Sequence, residues 1–153
     1  MPTASLPRAR SVETHRWLAT VALSLTGLHA LALLGDRFIH FDALDLLIPL
    51  MSSYRSYAVA LGVLAAYGAL LVHASFSWRK RIGAKAWRRL HYVSFFVFVA
   101  ALLHGMLAGS DSHRPGLLAL YVSSATVVAV LAALRALGPH GTPANARRPE
   151  RAR

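Results

Sequence analysis

The sequence contains no cysteine. That excludes disulfides, iron–sulfur ligation and any prosthetic group anchored through thioethers, because each needs sulfur supplied by the chain. Acidic residues are scarce, six against 17 Lys and Arg, which leaves a net charge of +11. No glycine-rich dinucleotide fingerprint occurs, so there is no flavin or nicotinamide fold of that kind. The N-terminus, MPTASLPRARSVETHRW, lacks the sequence of charged region, short apolar core and small-residue cleavage site that marks a cleaved signal. The first apolar run is therefore expected to be retained.

Apolar residues are abundant. They make up 56% of the chain, and the mean hydropathy is +0.45. An ordinary soluble domain carries roughly 45–50% even with glycine counted, so the composition is that of a membrane protein. The basic residues do not line a continuous face, as nucleic-acid binding would require, but fall in blocks between apolar runs.

Four runs, 17–34, 57–76, 90–108 and 117–137, are long enough to cross about 30 Å of hydrocarbon as helices. Open strands would leave backbone groups unpaired in lipid. The expected fold is thus an all-α integral membrane protein, a four-helix transmembrane bundle. Arg8, Arg10 and Arg16 precede the first span, and Arg79, Lys80, Arg81, Lys85, Arg88 and Arg89 join the second to the third. Arg135, Arg147, Arg148, Arg151 and Arg153 follow the fourth. Since these are 14 of the 17 cations, the positive-inside rule puts both termini in the cytoplasm. The other side holds Arg37, Arg55 and Arg114 among Asp36, Asp42, Asp45 and Asp111. A short amphipathic piece at 41–50 is expected to lie flat on that outer surface. Residues 1–138 form one domain on this reading, and 139–153, with three prolines, a disordered basic cytoplasmic tail.

Of eight histidines, His40 and His113 fall in outer loops and His140 in the tail, where a solvated role suffices. His73 stands alone in the second span and is read as a polar helix–helix contact. The remaining four form a pattern. His15 and His29 are 14 residues apart on the first helix, and His91 and His104 are 13 apart on the third, separations of ~21 Å and ~20 Å along a helix axis. Because both helices run in one direction, His15 pairs in depth with His91, and His29 with His104. Two facing imidazoles at one depth are what a haem iron needs for ligation on both faces. Ionisable residues within a span are costly, so four at matched depths point to function. On helix one the stripe of Ala19, Ala22 and Thr26 leaves room for a flat macrocycle, although small residues line many membrane helix contacts. On helix three 13 steps of about 100° leave His104 ~140° away from His91, so a regular helix does not present both to one side.

The segment RRLHYVSFFVFVAALLHG, preceded by WRKRIGAKAW, together with HRWLATVALSLTGLHALALL, resembles the ferric reductase-like transmembrane domain. Ferric reductases, NADPH oxidases and the haem-bearing membrane subunit of the bacterial methionine sulfoxide repair system share that domain. The likeness covers about 14–137. It implies a b-type cytochrome with two haems, or at least one, in which His15 and His91 ligate an inner haem iron and His29 and His104 an outer one, with no catalytic residue of its own. Family members commonly have six spans and many carry a flavin and nicotinamide domain, so this chain corresponds to the haem-holding core. It would act as the electron-transfer subunit of an oxidoreductase in a bacterial inner membrane.

Its donor would be a separate flavin reductase or a membrane quinol. Its acceptor would be a ferric chelate or a periplasmic redox partner. Arg16, Lys85, Arg88 and Arg89 are placed to meet inner propionates or an acidic partner, and Arg37, Arg55 and Arg114 to steer an anion outside. Phe95 and Phe98, between the two levels, are read as core packing. The rival readings are a single-haem quinol-oxidising subunit of a periplasmic reductase and a haem-free transport or scaffold protein.

Overall fold

The computed structural model describes residues 6–137, with side chains described from Arg10 onward. Among these residues every regular element is helical: α1 (Leu6–Leu34), α2 (Ala43–Leu47), α3 (Ser56–Ile82), α4 (Ala84–His91), α5 (Val93–Ala108) and α6 (Pro115–Leu137). Four segments, Arg10–Leu34, Ser56–Ile82, Ala84–Ala108 and Pro115–Leu137, are long and apolar enough to cross a membrane. The expected spans fall within them. The expected tail at 139–153 lies outside the described residues.

The helices outrun the apolar stretches at their basic ends. Arg79, Lys80 and Arg81 form the last turn of α3, where cations oppose the negative end of the helix dipole. The chain turns at Gly83, whose φ of +81° is a conformation that only glycine adopts cheaply, and helix resumes at Ala84. The basic connection between the second and third spans is thus mostly helical.

The third span is interrupted. Between α4 and α5, Tyr92 donates its backbone N–H to Arg89 O at 3.2 Å, and Phe95 donates to Tyr92 O at 3.1 Å. These i→i−3 bonds mark a tightened turn, and tightening rotates the following residues in the direction that brings His104 back toward the side of His91.

At the other end, the loop after α1 is built against α3. Asp42 caps α2 reciprocally with Asp45, accepting from Leu44 N and Asp45 N while its own N–H donates to Asp45. The amphipathic piece expected to lie flat is only partly free. Phe41 is buried against Val59 and Val63, with Leu33, Ile39, Leu46 and Tyr54 around it. Tyr67 Oη donates to Leu47 O at 2.6 Å and Ser56 Oγ to Leu50 O at 3.0 Å, fastening the loop to α3. Leu44, Leu47, Leu50 and Met51 are exposed.

α3 is the central helix of the Met1–Arg114 unit, packing most extensively on α5 and lightly on α1. Its buried residues, Ala58, Val59, Ala60, Val63, Ala65 and Ser75, are small or β-branched. Small faces let helices approach closely in lipid. α6 is a separate compact unit with no buried residue.

Candidate functional site: two histidine pairs on α1 and the α4–α5 span

All four paired histidines meet as their depths predict. The ring centres of His15 and His91 lie 6.2 Å apart with planes at 74°, and those of His29 and His104 lie 6.3 Å apart at 73°. The first pair, at the basic end, joins α1 to α4. The second, at the end of the Asp36–Ser56 loop, joins α1 to α5. α1 makes no extended backbone approach to α4 or α5, and its most apolar window contains no buried residue. The rings thus meet edge-on between helices whose backbones do not approach closely.

His104 is the most fully positioned of the four. Its Nδ1 lies 2.8 Å from Ala58 O. A carbonyl can only accept, so Nδ1 is the donor of this bond. Room for the ring is made by Gly62, one turn along α3: a Cβ there would lie 2.6 Å from Nδ1 and 2.7 Å from Cε1. The end of α5 beyond it is also fixed. Arg55 donates to Leu107 O, Tyr54 Oη donates to Ala108 O at 3.1 Å, and Ser112 Oγ lies 2.9 Å from Gly105 O and 2.7 Å from Gly109 O. Of these four carbonyls Gly105 O also accepts from Gly109 N, and the other three, which a helix C-terminus leaves unpaired, find donors.

His91 is held by stacking. Trp87, one turn earlier on α4, lies over it at 5.2 Å and 25°, and Phe76 of α3 meets Trp87 edge-on at 6.3 Å. Both His91 Nδ1 and Trp87 Nε1 are buried without a hydrogen-bond partner. His15 and His29, on α1, are exposed.

The other residues singled out in the sequence divide. Thr26 Oγ1 donates to Ala22 O within α1 at 2.9 Å. Arg16 stands over the ring of Phe76, whereas Lys85, Arg88 and Arg89 are exposed. Phe95 stacks on Tyr92 at 6.2 Å. His40, His73 and His113 are exposed and join neither pair. Ala58, Gly62 and Trp87 escaped the sequence reading. The signal for Gly62 was present, since an isolated glycine inside a helical run marks a close approach, but nothing in the sequence says which residue approaches.

Chemically, each pair offers two nitrogens. Among the described residues no three His, Asp or Glu side chains gather into one group, so a bare ion would find only half of the usual tetrahedral set.

The family described as ferric reductase like transmembrane component matches residues 1–102. The chain belongs to this family. The match takes in His15, His29 and His91 and ends two residues before His104. No curated protein and no solved structure gives a significant match. Family membership and the four apolar helices make this an integral membrane protein with a redox electron-transfer role, of a family that generally binds haem.

Proposed function

We propose that the protein is a b-type cytochrome that moves single electrons across a bacterial inner membrane, with His29–His104 and His15–His91 each gripping one haem. The observation that carries this reading is the separation within the pairs. Two metal–nitrogen bonds of about 2 Å plus the half-widths of two imidazole rings place the ring centres about 6 Å apart, and the pairs stand at 6.2 and 6.3 Å. A donor set of two nitrogens suits a metal that brings its other ligands with it, as porphyrin iron does.

When bound, each haem supplies a one-electron carrier. The chain's own residues would do the rest. His15, His29, His91 and His104 would hold the group through their ring nitrogens, and the chain would contribute no catalytic residue of its own. The Ala58 carbonyl would hold the His104 ring in place through its Nδ1. The stack on Trp87 orients His91.

Both termini lie in the cytoplasm on this reading, supported by the cation count of the basic ends. Electrons come from a separate flavin reductase or a quinol on that side and leave to a ferric chelate or a periplasmic redox partner outside. The exposed Lys85, Arg88 and Arg89 offer an acidic donor protein a docking charge. The orphaned Nδ1 of His91, against the bonded Nδ1 of His104, favours one alternative: a single haem at His29–His104 in a quinol-oxidising subunit of a periplasmic reductase.

The test is a redox-difference spectrum with pyridine haemochrome quantification on the wild type, His29→Ala and His104→Ala. Two haems per chain, falling to one in each variant, is the expected result. One haem, lost in each variant, selects the single-site form. A colourless wild-type protein would sink the haem reading and leave a transport or scaffold role.

A further inference from the structure

The basic end of α1, α3 and α4 gathers positive charge that no acidic side chain among the described residues pairs with. Phe76 carries two guanidinium groups on its ring, Arg79 of its own helix at 3.8 Å from the centre and Arg16 of α1 at 4.5 Å. Each cation is attracted to the ring, but the two repel one another, and neither has a carboxylate partner. The ion pair among the described residues, Arg114–Asp111, involves neither of them. Glu13 is the single acid in α1, α3 and α4, against Arg8, Arg10, Lys80, Arg81, Lys85, Arg88 and Arg89 in addition to the pair. Next to Phe76, Trp87 keeps a buried indole N–H with no acceptor.

Two further residues place this cluster at a particular level. Trp17 and Trp78, each the neighbour in sequence of one of the two arginines, are 64% and 53% exposed. Exposed indoles at the end of an apolar span sit at the headgroup level of a bilayer. The same level is where lipid phosphates lie. Arg16 and Arg79 are themselves exposed, so the missing anion can reach them from the membrane rather than from the gap between helices. The cluster also coincides with a mechanical need, because α1 packs only lightly on α3.

We propose that Arg16 and Arg79, spaced by the ring of Phe76, hold the phosphate of an anionic phospholipid, and that this lipid fastens the basic end of α1 to α3. A shared anion converts the repulsion between two helix ends into a bridge. Since His15 immediately precedes Arg16, the lipid would also steady the α1 half of the basic-end pair. The inference stands on charge and geometry and does not depend on what the histidines bind.

The experiment uses the full-length protein, delipidated in a neutral detergent, with bound lipid counted by native mass spectrometry and unfolding followed by circular dichroism. Phosphatidylglycerol is expected to be retained and to raise the unfolding midpoint more than phosphatidylcholine or inorganic phosphate. Arg16→Gln and Arg79→Gln should each weaken that retention about fivefold, as expected for one cation near an anionic headgroup. Lys80→Gln and Arg81→Gln, exposed on the same turn as Arg79, should leave it unchanged. Phe76→Leu keeps every charge and should still weaken retention, which guards against a variant that simply misfolds. Equal losses from Lys80→Gln and Arg79→Gln would replace the site with a diffuse basic surface. Equal stabilisation by inorganic phosphate would overturn the lipid as its occupant.

Discussion

The two histidine pairs have the same ring separation to within 0.1 Å and the same ring angle to within 1°, yet they are held in different ways. At the loop end, His104 is tied to a backbone carbonyl, seated in a glycine notch and followed by a helix terminus whose carbonyls are bonded. At the basic end, His91 rests on an aromatic stack beside a helix interruption, with its Nδ1 unpaired. Identical spacing can thus come from directional bonds or from packing alone. The first fixes the proton on the ring and the second does not, so the pairs should respond differently to substitution.

The largest difference between the pairs should come from filling the notch. In Gly62→Val the new Cβ would stand 2.6 Å from His104 Nδ1, and the ring cannot keep both its seat and its bond to Ala58. If each pair holds one haem, as proposed, haem content should fall by about half, the loss expected when one of two sites is removed. Absorbance after pyridine haemochrome extraction reads this directly. Retention of full content would mean that α3 does not position the ring.

Next in size is Arg55→Gln. Arg55 stands at a φ of 40°, an unfavourable backbone for a side chain of its kind, and its guanidinium bonds the Leu107 carbonyl near the end of α5. Losing a charged donor there should cost about 2 kcal/mol. If each pair holds a haem, as proposed, the loop-end haem should be lost at a lower temperature, with the basic-end haem unaffected.

The depth matching of the pairs was legible because it needs only residue counts and the helix rise: His15 with His91 and His29 with His104 follow from 14 and 13 steps on parallel helices. The azimuth of His104 was not, since the break at Tyr92 depends on i→i−3 bonds that no proline or glycine announces. The buried side of the Asp36–Ser56 loop was likewise hidden. Phe41 belongs to an amphipathic pattern, but only its contact with Val59 and Val63 decides which way that pattern faces. Ala58 acts through its carbonyl, which every residue possesses, and so could not have been singled out by residue type.

A smaller effect is expected at the basic-end pair. Trp87→Ala removes the stack on His91, while Trp87→Phe keeps an aromatic face. An aromatic pair contributes about 1 kcal/mol beyond its burial, so a haem held by His15 and His91, as proposed, should pass to an apo-globin acceptor about fivefold more readily in Trp87→Ala, and less so in Trp87→Phe. The loop-end band should be unaffected in both. Loss of both bands together would mean that the two sites are not independently held.

The smallest expected change concerns Ser112, which is 4% exposed and bonds the carbonyls of Gly105 and Gly109. Ser112→Ala leaves these groups to weaker partners at a cost of about 1 kcal/mol. His104 is fastened upstream of this turn by Ala58, so the fraying should stop short of it. Backbone amide exchange should therefore quicken about fivefold in the last turn of α5, with the haem spectrum unchanged. If the spectrum shifts as well, the terminus and the ring form one mechanical unit, and the bond to Ala58 is not sufficient by itself to hold the imidazole in place.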